Sequence, residues 1–357
     1  MNVRMNENIS KQQRPVQKTA WYGSVLLLLI LQVVGLTTKA QDLHFTQYFN
    51  TPLVANPANT GFIPDADYRI GGTYRQQWSN VMTAPYKTGT IFGDAQVFRD
   101  RLENGWLGLG ALVLYDVAGS GSLRSTKVYG SIAYHQMLGN SSLVSAGFNI
   151  GWANKRIDQS KLKFPDQFDG KFFDNTLPTS VVLTNTNVSY LDMQAGMNYA
   201  YFPSENVYIN AGYSIMHVNR PKETFFNDMT NDGRIPFRHT GFANALLKVH
   251  PRWIINPNAY FSMQAKASEL VVGMNANYNL SEFGEKQLVA GVYYRLGDAV
   301  APVVGFELGS VKITYSYDFT MSGLNQFNGY RGGSEISLIK KGFYPETVDR
   351  QSLCPKF

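Results

Sequence analysis

The chain has 357 residues, a formal net charge of +6, 21 Tyr, 22 Phe, 32 Gly and one Cys. This length suits two soluble domains or one large β-barrel, and the single Cys354 excludes an internal disulfide. The positive charge does not indicate a nucleic-acid partner: Arg4, Lys11, Arg14, Lys18 and Lys39 against Glu7 concentrate it in residues 1–40, and removing these from 32 basic and 26 acidic residues leaves 27 against 25.

Residues 1–18 are polar and basic, residues 25–36 read VLLLLILQVVGL, and Thr38-Lys39-Ala40 offers small residues ahead of Gln41. That order is the pattern of a secretory signal, expected at 1–40 and cleaved near Ala40-Gln41. The alternative is a membrane anchor, because the uncharged run 19–38 matches the ~20 residues of a spanning helix. Cleavage is the preferred reading: the strongly apolar core is shorter than a span, and the sequence after it is β-rich.

Residues 41–67 show no strand alternation and hold Asn50, Pro52, Asn56, Pro57, Asn59 and Pro64, which predicts turns and a short helical turn. The segment is expected at the periplasmic side or inside a lumen. From 68 to 340 the pattern changes. Successive side chains of a strand point to opposite faces, and run after run here splits apolar from polar. Tyr68, Ile70 and Tyr74 alternate with Arg69, Thr73 and Arg75; Phe148, Ile150 and Trp152 with Asn149 and Gly151; Leu191, Met193 and Met197 with Asp192, Gln194 and Asn198. The same holds for 207–215, 270–278 and 311–319, and less regular candidates lie at 86–98, 105–115, 123–137, 239–250, 252–263, 286–296, 301–309 and 332–340. Together they make about 14 strands. A tail is expected at 341–357.

A soluble sandwich also has alternating strands. Three features favour an all-β, antiparallel, up-and-down transmembrane barrel of outer-membrane type. The wet face is consistently Gly, Asn, Ser and charged. Aromatics gather near strand ends: Tyr68, Trp78 and Tyr86; Tyr199, Tyr201 and Phe202; Tyr315, Tyr317 and Phe319, as interfacial girdles require. The connections alternate in length, the long ones near 155–188 and 218–238 falling on one side. Outer-membrane lipid is therefore an expected partner. An arginine at Ala211 or Ile313 is expected to impair insertion by roughly 2–4 kcal/mol near the midplane, and one at Ser316 to be milder.

Chemistry is sparse. His44, His135, His217, His239 and His250 lack metal-ligand spacing, and a lone strand histidine reads as a lumen or interface residue. The loop 228–233, DMTNDG, lacks the acidic third position of a calcium loop, and His239 stands where its bidentate Glu belongs. No nucleophile elbow, P-loop or dinucleotide fingerprint occurs, so neither a catalytic residue nor a cofactor is expected. The longest connection carries FPDQFDGKFFD at 164–174. Phe164, Phe168, Phe172 and Phe173 beside Asp166, Asp169 and Asp174 read either as a loop folded over its own rings or as a contact surface for a partner.

The run Gln41-Asp42-Leu43-His44-Phe45-Thr46-Gln47-Tyr48-Phe49, followed by Pro52-Leu53, Asn56-Pro57-Ala58 and Gly61, resembles the start of the PorP/SprF family. Tyr74-Arg75-Gln76-Gln77-Trp78, Phe164-Pro165-Asp166-Gln167 and the terminal Cys354-Pro355-Lys356-Phe357 extend the resemblance across the mature chain, with Leu43 where Pro is usual. It implies an outer-membrane barrel of the type IX secretion system that supports secretion or surface attachment of cargo, gliding adhesins among them. Partners implied are a cargo protein with a C-terminal sorting domain and other components of the system. The alternative function is a passive porin or hydrophobic-solute channel.

Overall fold

Each alternating run forms a strand because its apolar face meets lipid and its polar face meets the lumen. A computed structural model describes residues 45–345, except 80, 100, 120–121, 175, 182, 227–232 and 282–284. The signal expected at 1–40, residues 228–232 of the calcium-like loop and the terminal Cys-Pro-Lys-Phe fall outside the described residues. The strands are β1 (Tyr68–Gln77), β2 (Tyr86–Val97), β3 (Gly105–Ala118), β4 (Leu123–Met137), β5 (Ser142–Arg156), β6 (Asn187–Ser204) and β7 (Val207–Met216). The second half comprises β8 (Arg238–His250), β9 (Trp253–Gln264), β10 (Ala267–Asn279), β11 (Lys286–Arg295), β12 (Ala299–Leu308), β13 (Val311–Thr320) and β14 (Arg331–Gly342).

Every strand pairs antiparallel with its sequence neighbours, and β1 pairs with β14 from Tyr68 opposite Gly342 to Gln77 opposite Gly333. Closure leaves no unpaired edge, the condition for strands to cross a membrane. The described residues contain no helix long and apolar enough to cross one.

The outer surface is a continuous apolar band that includes Ile70, Ile91, Ile132, Met197 and Val304. Exposed rings flank it at both ends of the strands: Tyr74, Tyr115, Trp152, Tyr213 and Phe319 at one, Tyr134, Tyr199, Tyr201, Trp253 and Phe306 at the other. Amphipathic rings at that depth form the two girdles. Phe202, expected in a girdle, instead faces inward at 4% exposure and stacks with Tyr208. It shares the phase of Asn198 and Ala200, so the unbroken period of two along β6 turns it to the lumen. The end bearing the connections 157–186 and 217–237 is external, since long loops sit outside and short turns in the periplasm. The chain is an outer-membrane barrel.

Residues 45–67 lie inside the barrel as a plug of three short helical turns, Tyr48–Asn50, Pro52–Ala55 and Pro57–Asn59. Thr46 sits among the external ends of β1, β11, β13 and β14. The Asp67 amide donates to Gly342 O at the periplasmic rim. The plug thus descends the lumen before the chain turns into β1. Its apolar side chains make the cores of the molecule: Phe45 and Leu53 with Phe92 and Leu112, Tyr48 with Tyr260 and Tyr293, Phe62 with Trp106 and Leu143.

Candidate functional site

The upper end of the plug is fixed by charge. The Thr46 and Gln47 amides donate to the two carboxylate oxygens of Glu335 at 2.9 and 2.8 Å. The Thr46 hydroxyl donates to Asp318 at 2.9 Å, and Arg75 donates to that hydroxyl at 2.7 Å. Arg75 also bridges Asp318 at 2.6 Å and Glu335 at 3.1 Å, and Arg295 pairs with Asp318. These four charged side chains are at most 6% exposed. Ions so buried persist only when paired and hydrogen-bonded, and the flat guanidinium of Arg75 engages two carboxylates at once. Gln47 completes the lock, donating from Nε2 to Ser316 Oγ at 2.9 Å and accepting from Thr314 at 2.6 Å. Ser316 is fully buried under the plug. An arginine there would displace Gln47, so the expected mildness of that substitution is corrected: the wet face is covered by protein.

The Asn-Pro-Ala turn is fixed by shape. Asn56 Oδ1 accepts from the Ala58 amide at 2.9 Å, and its Nδ2 donates to the carbonyls of Met197 at 2.8 Å and Tyr213 at 3.3 Å. Gly147, Gly196 and Gly212 leave room on the wall for this turn, and Gly108 for the Thr60 carbonyl; a methyl at Gly108 would overlap that oxygen. The Gly61 amide donates to Asp94, which also pairs with Arg69 at 2.7 Å. Trp106 Nε1 donates to Gly61 O at 2.9 Å. His135 is a luminal residue, its Nε2 against Thr60 O at 2.8 Å and its Nδ1 against Ser145 at 2.7 Å.

Outside, the loop 157–186 is ordered by its own polar groups. Gln167, buried at 5%, donates to Leu177 O at 2.8 Å and accepts from the Phe164 amide at 3.1 Å. Asp166 accepts from the Ser180 amide at 2.6 Å and the Thr179 hydroxyl at 2.9 Å. Asp169 accepts from the amides of Lys171 and Phe172, and Asp174 from the amide and hydroxyl of Thr176. Those donors hold all three carboxyl groups below the usual carboxylate range: first Ser180 N–H for Asp166, first Phe172 N–H for Asp169, first the Thr176 hydroxyl for Asp174. The rings do the opposite and face water. Phe168 and Phe173 pair at 5.1 Å between centroids, both 48% exposed, and Phe172 is 74% exposed, whereas Phe164 is half-buried. The loop therefore brings the seven sequence-derived residues together in two roles: carboxylates shape the loop, and three rings are displayed.

Sequence reasoning missed the acidic pair Asp318 and Glu335 and the hub Gln167. Two signals pointed there. Arg75 stands in Tyr74-Arg75-Gln76-Gln77-Trp78 and Gln167 in Phe164-Pro165-Asp166-Gln167, both quoted for resemblance and neither read for geometry.

A family model described as type IX secretion system membrane protein PorP/SprF matches residues 37–339. No curated protein matches. Among solved structures, the chain is similar to the Pseudomonas putida toluene transporter TodX at 13% identity, covering 83% of this chain and 95% of that one, with a TM-score of 0.49. The Ralstonia pickettii toluene transporter TbuX matches at 11% identity, 86% and 96% coverage and a TM-score of 0.49. A Pseudomonas aeruginosa FadL homologue matches at 11% identity, 80% and 91% coverage and a TM-score of 0.46.

Proposed function

The chain belongs to the PorP/SprF family of type IX secretion system membrane proteins, and on that premise we propose that it is a non-enzymatic barrel supporting secretion or surface attachment of a cargo protein. The observation that carries this reading is the external loop. Phe168, Phe172 and Phe173 stay largely exposed on a segment whose carboxylates are committed to its own backbone and hydroxyls. Exposed rings on an internally braced loop are preorganised anchors of the kind that dominate protein interfaces. The partner is a secreted protein with a C-terminal sorting domain, gliding adhesins being one class, and other components of the system assemble with the same barrel. The plug argues against a passive porin, because buried side chains of 45–67 occupy the lumen where solute would pass. Residues 1–40 serve as the export signal.

Deleting 164–174 tests the reading. The barrel remains heat-modifiable in outer membranes, and surface labelling of the cargo falls. Cargo attached at its normal level on such cells would reduce the loop to a cover and return weight to the channel reading.

A further inference from the structure

The external rims of β2 to β5 carry an unbalanced charge on the face turned to lipid. Direct cross-strand pairing places Lys87, Val117, Arg124 and Arg156 in one row over these four strands. Their phase is that of Ile91, Val113, Val128 and Trp152, which face outward. The matching outward positions of β9 to β13 are Met263, Ser268, Tyr294, Val300 and Phe319, none of them charged. Arg124 and Arg156 lie directly opposite each other, which sets their Cβ atoms about 5 Å apart. Like charges in that relation are destabilising, and among the described residues neither arginine has an ion pair or a side-chain hydrogen bond. The pair borders a recess of about 380 Å³ whose other walls include Ser122, Gln159, Ser160 and Thr186. One acid, Asp158, also lines it. Its carboxylate accepts from Ser160 Oγ at 2.7 Å and pairs with Lys161 at 3.4 Å. Three cations, Arg124, Arg156 and Lys161, against this one carboxylate leave two positive charges unmatched.

What lies beneath the pair defines the ligand. Along β4 and β5 the paired outward positions run Arg124 with Arg156, then Thr126 with Asn154, then Val128 with Trp152. Charged gives way to polar and polar to apolar within about 13 Å of strand. A lipid presents the same order, phosphate first and acyl chains below. We propose that the Arg124–Arg156 pair and its recess bind the phosphate headgroup of an outer-leaflet lipid, whose chains lie against Val128, Trp152 and Leu191. A phosphate monoester carries about −1.5 to −2 charge at neutral pH, which matches the two unmatched cations. Guanidinium forks engage phosphate through parallel hydrogen bonds, and the anion removes the repulsion between the arginines. Cations that only snorkel to the interface need no such grouping, whereas these occupy one sector of the rim and face each other. The site rests on the external orientation of this rim and is independent of the cargo reading.

The test titrates the full barrel in detergent micelles with monophosphoryl lipid A and with the same lipid after removal of its phosphate, read by native mass spectrometry. The phosphorylated lipid binds about tenfold more tightly, the span of one charge-assisted hydrogen bond. The double variant Arg124→Gln, Arg156→Gln brings the two affinities within about twofold while the barrel stays heat-modifiable. Arg156→Gln alone, at an exposed position, narrows the difference and carries the test if the double variant does not fold. Arg331→Gln removes an exposed cation from the external end of β14 and leaves the preference unchanged. Inorganic phosphate at millimolar concentration does not displace the lipid. Equal binding of the two lipids, an equal loss in Arg331→Gln, or displacement by inorganic phosphate overturns the proposal. A double variant that keeps its lipid preference also overturns it, and if that variant loses surface cargo the pair belongs to a protein partner instead.

Discussion

The luminal plug and the external loop are both long segments without alternation, and they are held in opposite ways. Plug contacts reach across the whole chain: Thr46 to Glu335 spans 289 positions and Asn50 to Thr314 spans 264. Loop contacts are mainly local, Asp166 to Ser180 spanning 14 and Asp169 to Phe172 only 3. The longer ones, Lys161 to Ser122 and Asn185 to Phe225, reach other external connections rather than the lumen. The plug buries its rings and uses wall residues to neutralise its ends; the loop spends its polar groups on itself and leaves rings outside. A segment organised by the barrel becomes part of the barrel's stability. A segment organised by itself can be lost, exchanged or bound without unfolding anything.

The largest expected effect breaks the plug side of that contrast. Arg75→Ala leaves Asp318 and Glu335 buried with one cation fewer, and removing one partner from such a cluster costs about 3–5 kcal/mol. Urea unfolding of the barrel in vesicles measures the loss, and planar-bilayer conductance rises as Thr46 and Gln47 detach. A stable, silent variant would mean the plug is held by packing alone. A smaller effect isolates the packing. Gly108→Ala drives a methyl into the Thr60 carbonyl, an overpacking of about 1–3 kcal/mol, whereas it leaves the Arg75 cluster intact. The same unfolding assay reads it, and unchanged stability would show that the turn yields freely.

The contrast also explains what was legible in the sequence. Strands such as β13 were readable because a barrel wall imposes a period of two on adjacent residues, and Ile313 and Ser316 declare their faces locally. The loop was partly readable, since Phe164 to Asp174 fold mainly among themselves. The plug was readable as irregular, and Arg75, Gln47 and Asn56 were visible as parts of a resemblance. Their partners were not. Nothing near Thr46 specifies Glu335, because the pairing is produced by closing β1 against β14. Phe202 went astray for a different reason: it was grouped with Tyr199 and Tyr201 by nearness to the strand end, although it shares the period-two phase of Asn198 and Ala200, which face the lumen.

The smallest expected effect sharpens the loop side and concerns pH. The Asp166 carboxyl titrates below its ordinary value because it accepts the Ser180 amide and, more weakly, the Thr179 and Ser180 hydroxyls. A folded-state pKa lower than the unfolded one means that stabilisation is complete above the unfolded carboxyl value of about 3.9 and is lost as pH falls through the folded value. The carboxylate is fully solvated, so its effect on the loop is slight and on the barrel nil. Hydrogen exchange across an acid series, corrected for intrinsic rates, should show the Ser180 amide losing protection in that window while barrel amides of β5 and β6 keep theirs. Asp166→Ala should show the same unprotected Ser180 amide already at neutral pH. If Ser180 instead loses protection together with Thr46 and Gln47, the loop and the plug open as one unit and the opposition between them fails. If Ser180 is unprotected at every pH, Asp166 does not order the loop, and the display of Phe168, Phe172 and Phe173 must rest on their own packing.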